Sequence, residues 1–148
     1  MMKKDIVKDE VFYSITWSEE RKYEKYDAMR FLPELAGIIS IEEKHNTGNR
    51  PLLFYACWRD GLRVGLRKLM DPLYTEHPGL LEKLDIYSKL YYCYTVVDSS
   101  PVDMKDILFW LIRTYNPELN SPEYRDSGRY KNISVEQRKP GGRLLEVK

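Results

Sequence analysis

Ser99 to Asn120, SSPVDMKDILFWLIRTYNPELN, is the stretch whose start, buried face and exit can all be read from residue chemistry. Ser100 offers an oxygen to the free N–H groups of a first helical turn, Pro101 suits the first helical position, and Asp103 complements the positive helix end. Ile107, Leu108, Leu111, Ile112 and Tyr115 recur every three or four residues, and Phe109 and Trp110 widen the stripe. Lys105, Asp106 and Arg113 are expected to stay in water. Asn116 and Pro117 end the helix, because the residue before proline avoids the helical region and proline has no N–H to give. The segment reads as a core helix.

Outward from it, Lys89 to Asp98, KLYYCYTVVD, is aromatic and β-branched enough for a strand. Ala36 to Glu43 and Leu52 to Trp58 are two further apolar runs, and the turn-rich KHNTGNRP between them reads as a long hairpin loop. RDGLRVGLRKLMDP places Leu62, Leu66, Leu69 and Met70 on one helical face and stops at Pro72, and Pro78 to Leu84 is a short helix or turn. Near the N-terminus, Val11, Tyr13, Ile15 and Trp17 alternate as a strand does. Ser18 with Glu19 and Glu20 then predicts an amphipathic helix running to Pro33, with Tyr23, Tyr26, Met29 and Arg30 along one side.

The 148 residues are enough for one domain with a core of its own, and 43% hydrophobic with 32% charged residues is the composition of a soluble globular protein. A formal charge of +1 gives no general pull towards nucleic acid, so an electrostatic site must come from local clustering. Cys57 and Cys93 lack metal-ligand spacing and His45 and His77 are isolated, so no metal is expected from them. Two reduced thiols in a cytoplasmic protein are expected, and a single disulfide stays open without geometry. The N-terminal MMKKDIVKDE has no apolar run of the kind a signal peptide needs, and no stretch approaches the roughly eighteen apolar residues of a membrane span.

The helix exit LIRTYNPELN resembles the last motif of the GIY-YIG nuclease domain, with Leu111, Ile112, Pro117, Leu119 and Asn120 in matching places. Gly37-Ile38-Ile39 resembles the first motif of that family and Tyr55-Ala56-Cys57 the second, and the order strand, strand, helix, strand, helix over residues 36–120 is similar to the family core. The resemblance implies an α+β fold, a small three-stranded mixed or antiparallel sheet flanked by helices. Residues 1–35 are then a strand-helix extension packed on the core, and residues 121–148 a polar, mildly basic C-terminal extension.

Four family positions of functional importance carry altered residues, and Ala56 is a milder change in the second motif. Ile39 replaces the tyrosine of the first motif, Cys57 the glycine of the second, Gly65 the catalytic arginine, and Leu108 the metal-binding Glu. Gly37, Tyr55 and Asn120 match. Tyrosine ionises near pH 10 and needs a neighbouring cation to act as a base, and a leucine cannot hold a divalent ion, which requires oxygen ligands. The expected function is therefore that of a GIY-YIG-like domain without the family's catalytic residues, a nucleic-acid-binding or accessory module. Arg59, Arg63 and Arg67, four residues apart, with Lys68 and Arg50, are the candidate phosphate contacts.

Two alternatives stay open. One is a protein-interaction or assembly subunit using aromatics such as Tyr23, Tyr26 and Tyr74. The other is an active nuclease with a rearranged site, which would take Mg²⁺ or Mn²⁺ on carboxylates such as Glu42, Glu43 or Asp60. DNA, RNA or another protein are the expected partners, and no membrane.

Overall fold

The computed structural model describes residues 2–83, 89–145 and 147. The chain has the α+β organisation expected, in two four-stranded sheets. The central sheet is built on β4 (Gly37–His45), β5 (Gly48–Cys57) and β6 (Leu90–Val96), with β4 in the middle and both pairings antiparallel. Alternation sends Ile39 and Ile41 to one face and Ile38 to the other, and all three are fully buried, so the sheet is covered on both sides.

Three features differ from the sequence reading. First, the expected hairpin loop is mostly strand. Pairing continues to His45 and Gly48, only Asn46 and Thr47 turn, and a register shift after Ile41 absorbs one extra residue. Pro51 is tolerated because β5 is an edge strand.

Second, the expected helix from Ser18 to Leu32 is reduced to α1 (Lys25–Arg30), preceded by β3 (Arg21–Lys22), which makes the sheet four-stranded in the order β3-β6-β4-β5. Ser18 does not cap a helix. Its N–H donates to the Tyr94 carbonyl at 2.8 Å and its Oγ accepts from the Tyr94 N–H at 2.9 Å, so the edge of β6 takes the groups that a helix start would have used.

Third, the polar C-terminal stretch contains a strand. β1 (Lys3–Val7), β2 (Glu10–Thr16), β7 (Asn132–Arg138) and β8 (Leu144–Leu145) form the second sheet in the order β1-β2-β7-β8. β2 and β7 pair in parallel, from Glu10 with Asn132 to Thr16 with Arg138.

α2 (Gly61–Met70) covers one face of the central sheet through Leu62, Leu66 and Leu69. α4 (Pro101–Tyr115) lies on the opposite face and is held there by the second sheet, so that Ile107, Leu111 and Ile112 meet Ile38 and Phe54 on one side and Val11, Tyr13 and Ile15 on the other. Its start is as read: the Asp103 N–H donates to Ser100 Oγ at 3.1 Å and Pro101 opens the first turn. Asn116 ends it at φ 45°, in the left-handed conformation that asparagine tolerates. Asp106 is a correction. It is fully buried, with Ser127 donating its N–H (2.7 Å) and Oγ (2.8 Å) to the two carboxylate oxygens, which replaces the water the sequence assigned to it.

α3 (Pro78–Glu82) falls where a short helix was expected, and Leu84 at the end of that expectation lies outside the described residues. Both cysteines are free thiols. No described helix is long and apolar enough to cross a membrane.

Candidate functional site

The motif positions divide between the two faces of the central sheet. Gly37 pairs with Cys57 and Ile39 with Tyr55 across β4 and β5, and Gly65 of α2 lies over them. Gly37 has a packing reason, since a Cβ there would come within 2.3 Å of the Thr95 carbonyl oxygen on β6. At Gly65 a Cβ would be 2.3 Å from Cys57 Sγ. The two altered positions are thus one steric unit, the thiol filling the space in which a side chain at 65 would begin.

Leu108 is elsewhere. It sits on α4, packed with Ile38 and Phe54 against the other face, so it shares no pocket with Ile39, Tyr55 and Gly65. Tyr55 is half-buried with its ring edge-on to His77 at 5.6 Å. Burial, then the acidic groups of Cys57, Glu76 and Asp60, push its hydroxyl up to about 12. Burial likewise raises the Cys57 thiol to about 12 and lowers the His77 imidazole, so none of the three is ionised at neutral pH.

Of the carboxylates considered for a rebuilt site, Glu42 and Glu43 lie away from Tyr55, and Asp60 alone is near enough to act on its hydroxyl. Glu42 opens towards the opposite face, Glu43 pairs with His45, and Asp60 accepts from Lys68 Nζ at 2.5 Å. Among the described residues, no three His, Cys, Asp or Glu side chains could hold a metal ion together. Asn120 has a structural task. Its side chain accepts from the Phe54 N–H (2.8 Å) and donates to the Phe54 carbonyl (2.9 Å), while the Leu119 N–H donates to the Leu52 carbonyl (2.9 Å), which closes the edge of β5. Asn120→Ala removes two bonds from a partly buried backbone and is expected to cost about 1–2 kcal/mol in urea unfolding. A loss near zero would mean that water takes over both partners.

The basic residues do not form the stripe expected. Arg59 lies in the bend before α2, off the helix. Arg63 donates to the Leu32 carbonyl at 2.9 Å and pairs with Glu34 at 3.2 Å, Lys68 is bound to Asp60, and Arg50 stands 3.7 Å from Glu118. Arg59 and Arg67 are exposed and have no partner among the described residues. Arg67 borders a shallow groove with Met29, Val64, Met70 and Tyr74. Of the three tyrosines considered for an interaction surface, Tyr26 and Tyr74 are exposed and Tyr23 is buried in the α2-side core.

Two polar constellations were missed by the sequence reading. At the start of α4, Asp103 is buried and accepts from Lys4 Nζ (2.7 Å), the Tyr13 hydroxyl (2.8 Å) and Ser99 Oγ (2.6 Å). Burial pushes its carboxyl up, but the bonds from Lys4, Ser99 and Tyr13 outweigh it and hold it below the usual carboxylate range.

The second constellation is a groove of about 810 Å³ where the two sheets meet beyond the end of α4. Its floor is aromatic: Phe54 stands between Trp17 (6.3 Å) and Tyr115 (5.7 Å). Gln137 ties that floor together, accepting from Trp17 Nε1 and donating to the Tyr115 hydroxyl, both at 2.8 Å. Glu19, Glu20 and Glu42 line the groove, with Lys139 as its cation, and Lys44 is paired to Glu20. Burial, and then Glu20 beside it, raise the Glu42 carboxyl, while Lys44 and Asn49 pull the other way. The available signal was the alternation of β4, which places Ser40 and Glu42 on the same face as the buried Ile38, polar residues on a face otherwise built for packing.

No curated protein and no solved structure matches the chain. Residues 1–143 match the model of a protein family described as "Uncharacterised protein", and on that coverage the chain belongs to that family.

Proposed function

We propose that this chain acts by binding another protein through the face formed by α1, α2 and the segment after α2, and that it hydrolyses no phosphodiester. The observation that carries the proposal is the exposed apolar area on α1 and just after α2, beside an arginine that has no partner among the described residues. Leu73 is 85% and Tyr74 67% exposed, Tyr26 and Met29 are exposed on α1, and Met29, Arg67 and Tyr74 line the same shallow groove. Aromatic residues, methionine and arginine are the types enriched at the centres of protein interfaces, and contiguous exposed apolar patches are uncommon without a partner. The resemblance to GIY-YIG nucleases enters through the order of strands and helices alone. What supports a loss of hydrolysis is that, among the described residues, no ionised base, arginine and metal ligand stand together around Tyr55.

A photoreactive amino acid placed at Tyr74 should give a discrete cross-linked adduct in the native cell, while the same group at Phe12, exposed on the second sheet, gives none. Leu73→Ala with Tyr74→Ala should weaken that complex at least about tenfold with the melting temperature unchanged. An adduct at both sites, or at neither, defeats the proposal.

Nucleic-acid binding is the second reading, favoured by Arg59 and Arg67 being without partners among the described residues. It requires affinity for a short duplex that falls steeply with salt and falls further in Arg59→Ala with Arg67→Ala. Binding that ignores salt would remove it.

A further inference from the structure

We propose that the groove between the two sheets is a binding site for a small organic cation, an amine or guanidinium carried on an apolar body. This site is separate from the α1–α2 face and stands or falls independently of it. Its volume of about 810 Å³ is within the range of cavities that enclose small molecules, and its walls divide the ligand's chemistry in two. The floor of Trp17, Phe54 and Tyr115 is held in place by the Gln137 bridge, and since Trp17 and Phe54 are only 6% and 5% exposed, its accessible aromatic surface is mainly that of the half-buried Tyr115. A cation seated against the Tyr115 ring is favoured over a neutral group by the electron-rich ring face.

The acidic side supplies the complement. Glu19, Glu20 and Glu42 stand against Lys139 in the lining and Lys44 paired to Glu20 from outside it, which leaves the groove with one carboxylate in excess. Glu42 stands half-buried next to Glu20, its charge only partly offset by Lys44 and Asn49, so an ammonium group in the groove meets two neighbouring carboxylates. An anionic ligand would be repelled by both. A divalent metal ion would need several oxygen ligands converging on one point, and no such group of three acidic, His or Cys side chains exists among the described residues. An organic cation needs only one or two carboxylates and an aromatic surface.

The test is a titration of the full chain with 2-phenylethylamine, 2-phenylethanol and 3-phenylpropionate, followed by calorimetry and by amide and indole NMR signals. The amine should shift the Trp17 indole N–H and the amides of Ser40, Glu42 and Gln137 saturably. The alcohol should bind about tenfold more weakly, as expected for loss of a charge-assisted hydrogen bond, and the acid not at all. Glu42→Gln should weaken the amine about tenfold and leave the alcohol unchanged, whereas Glu123→Gln, exposed on another surface, should change neither. Equal affinity for amine and alcohol, or shifts that map outside the groove, overturns the proposal on wild-type protein alone. Full amine affinity in a folded Glu42→Gln variant overturns it as well.

Discussion

Asp103→Ala should remove about 2–4 kcal/mol of stability, because it withdraws the acceptor from three donors at once, the Tyr13 hydroxyl among them buried. Lys4, Tyr13 and Ser99 all point at a carboxylate that is 2% exposed, and without it the buried Tyr13 hydroxyl loses its acceptor, while the Lys4 ammonium, on exposed β1, turns to water. Asp103→Asn should lose less, since its amide oxygen still accepts and its NH₂ can donate to Ser99 Oγ. Urea unfolding of the three proteins gives the comparison, and equal stability of wild type and Asp103→Ala would show that water replaces the carboxylate.

The same contacts fix how stability varies with pH. Asp103 is held below its ordinary value, so its contribution is present above about pH 4, the unfolded carboxylate range, and is lost as pH falls through its lower folded value. Burial lowers the Lys4 ammonium, but Asp103 and Tyr130 outweigh it and raise it overall. Burial and Asp103 raise the Tyr13 hydroxyl. Contributions from a raised lysine and a raised tyrosine are complete below about pH 10 and are lost as pH rises further. Both limbs should flatten in Asp103→Asn.

Gly65→Ala is the second large effect expected, about 3 kcal/mol, since its new methyl group would stand 2.3 Å from Cys57 Sγ and 3.0 Å from Cys57 Cβ in a buried layer. Gly65→Arg, which writes the family residue back, should cost more, as its stem starts from the same overlap and carries a charge beneath α2. Cys57→Ala should recover a good part of the Gly65→Ala loss. A double-mutant cycle on Cys57→Ala and Gly65→Ala therefore has a coupling energy of at least about 1 kcal/mol. Strict additivity would mean that the helix moves away and the two positions are independent.

That steric pair shows where reading from sequence stops. As letters, Cys57 and Gly65 are two separate departures from a motif; as structure, each makes room for the other, and only the packing of α2 on β5 reveals it. The core helix was legible because its cap, its opening proline, its period and its left-handed Asn116 are local properties of consecutive residues. Ser18 was misread because a helix cap and a strand edge compete for the same N–H and Oγ, and the winner, Tyr94, is 76 positions away.

Asp103 and Asp106 were legible by position and not by type. Asp103 lies one helical turn before Ile107, and Asp106 is its neighbour, so the period put them near the apolar stripe. Asp103 was read as a complement to the helix end and Asp106 as wet, and the partners that satisfy them, Lys4, Tyr13 and Ser127, come from distant segments. β7 was hidden for a similar reason. NISVEQR turns Ile133, Val135 and the buried Gln137 inward, too weak an alternation to stand out from a polar tail.

The parallel pairing of β2 with β7 also sets an order in time. Glu10 and Asn132 are 122 positions apart, so at a synthesis rate of about 5–20 residues per second β2 leaves the ribosome roughly 6–24 s before its partner exists. During that interval β1 can pair with one edge of β2, and the lysines of β1 discourage further chains from adding on that side. The other edge, with Val11, Tyr13 and Ile15 beside it, stays open until Arg138 has emerged. A nascent chain stalled before that point would present an unpaired apolar strand, and it is there that a chaperone would be needed most.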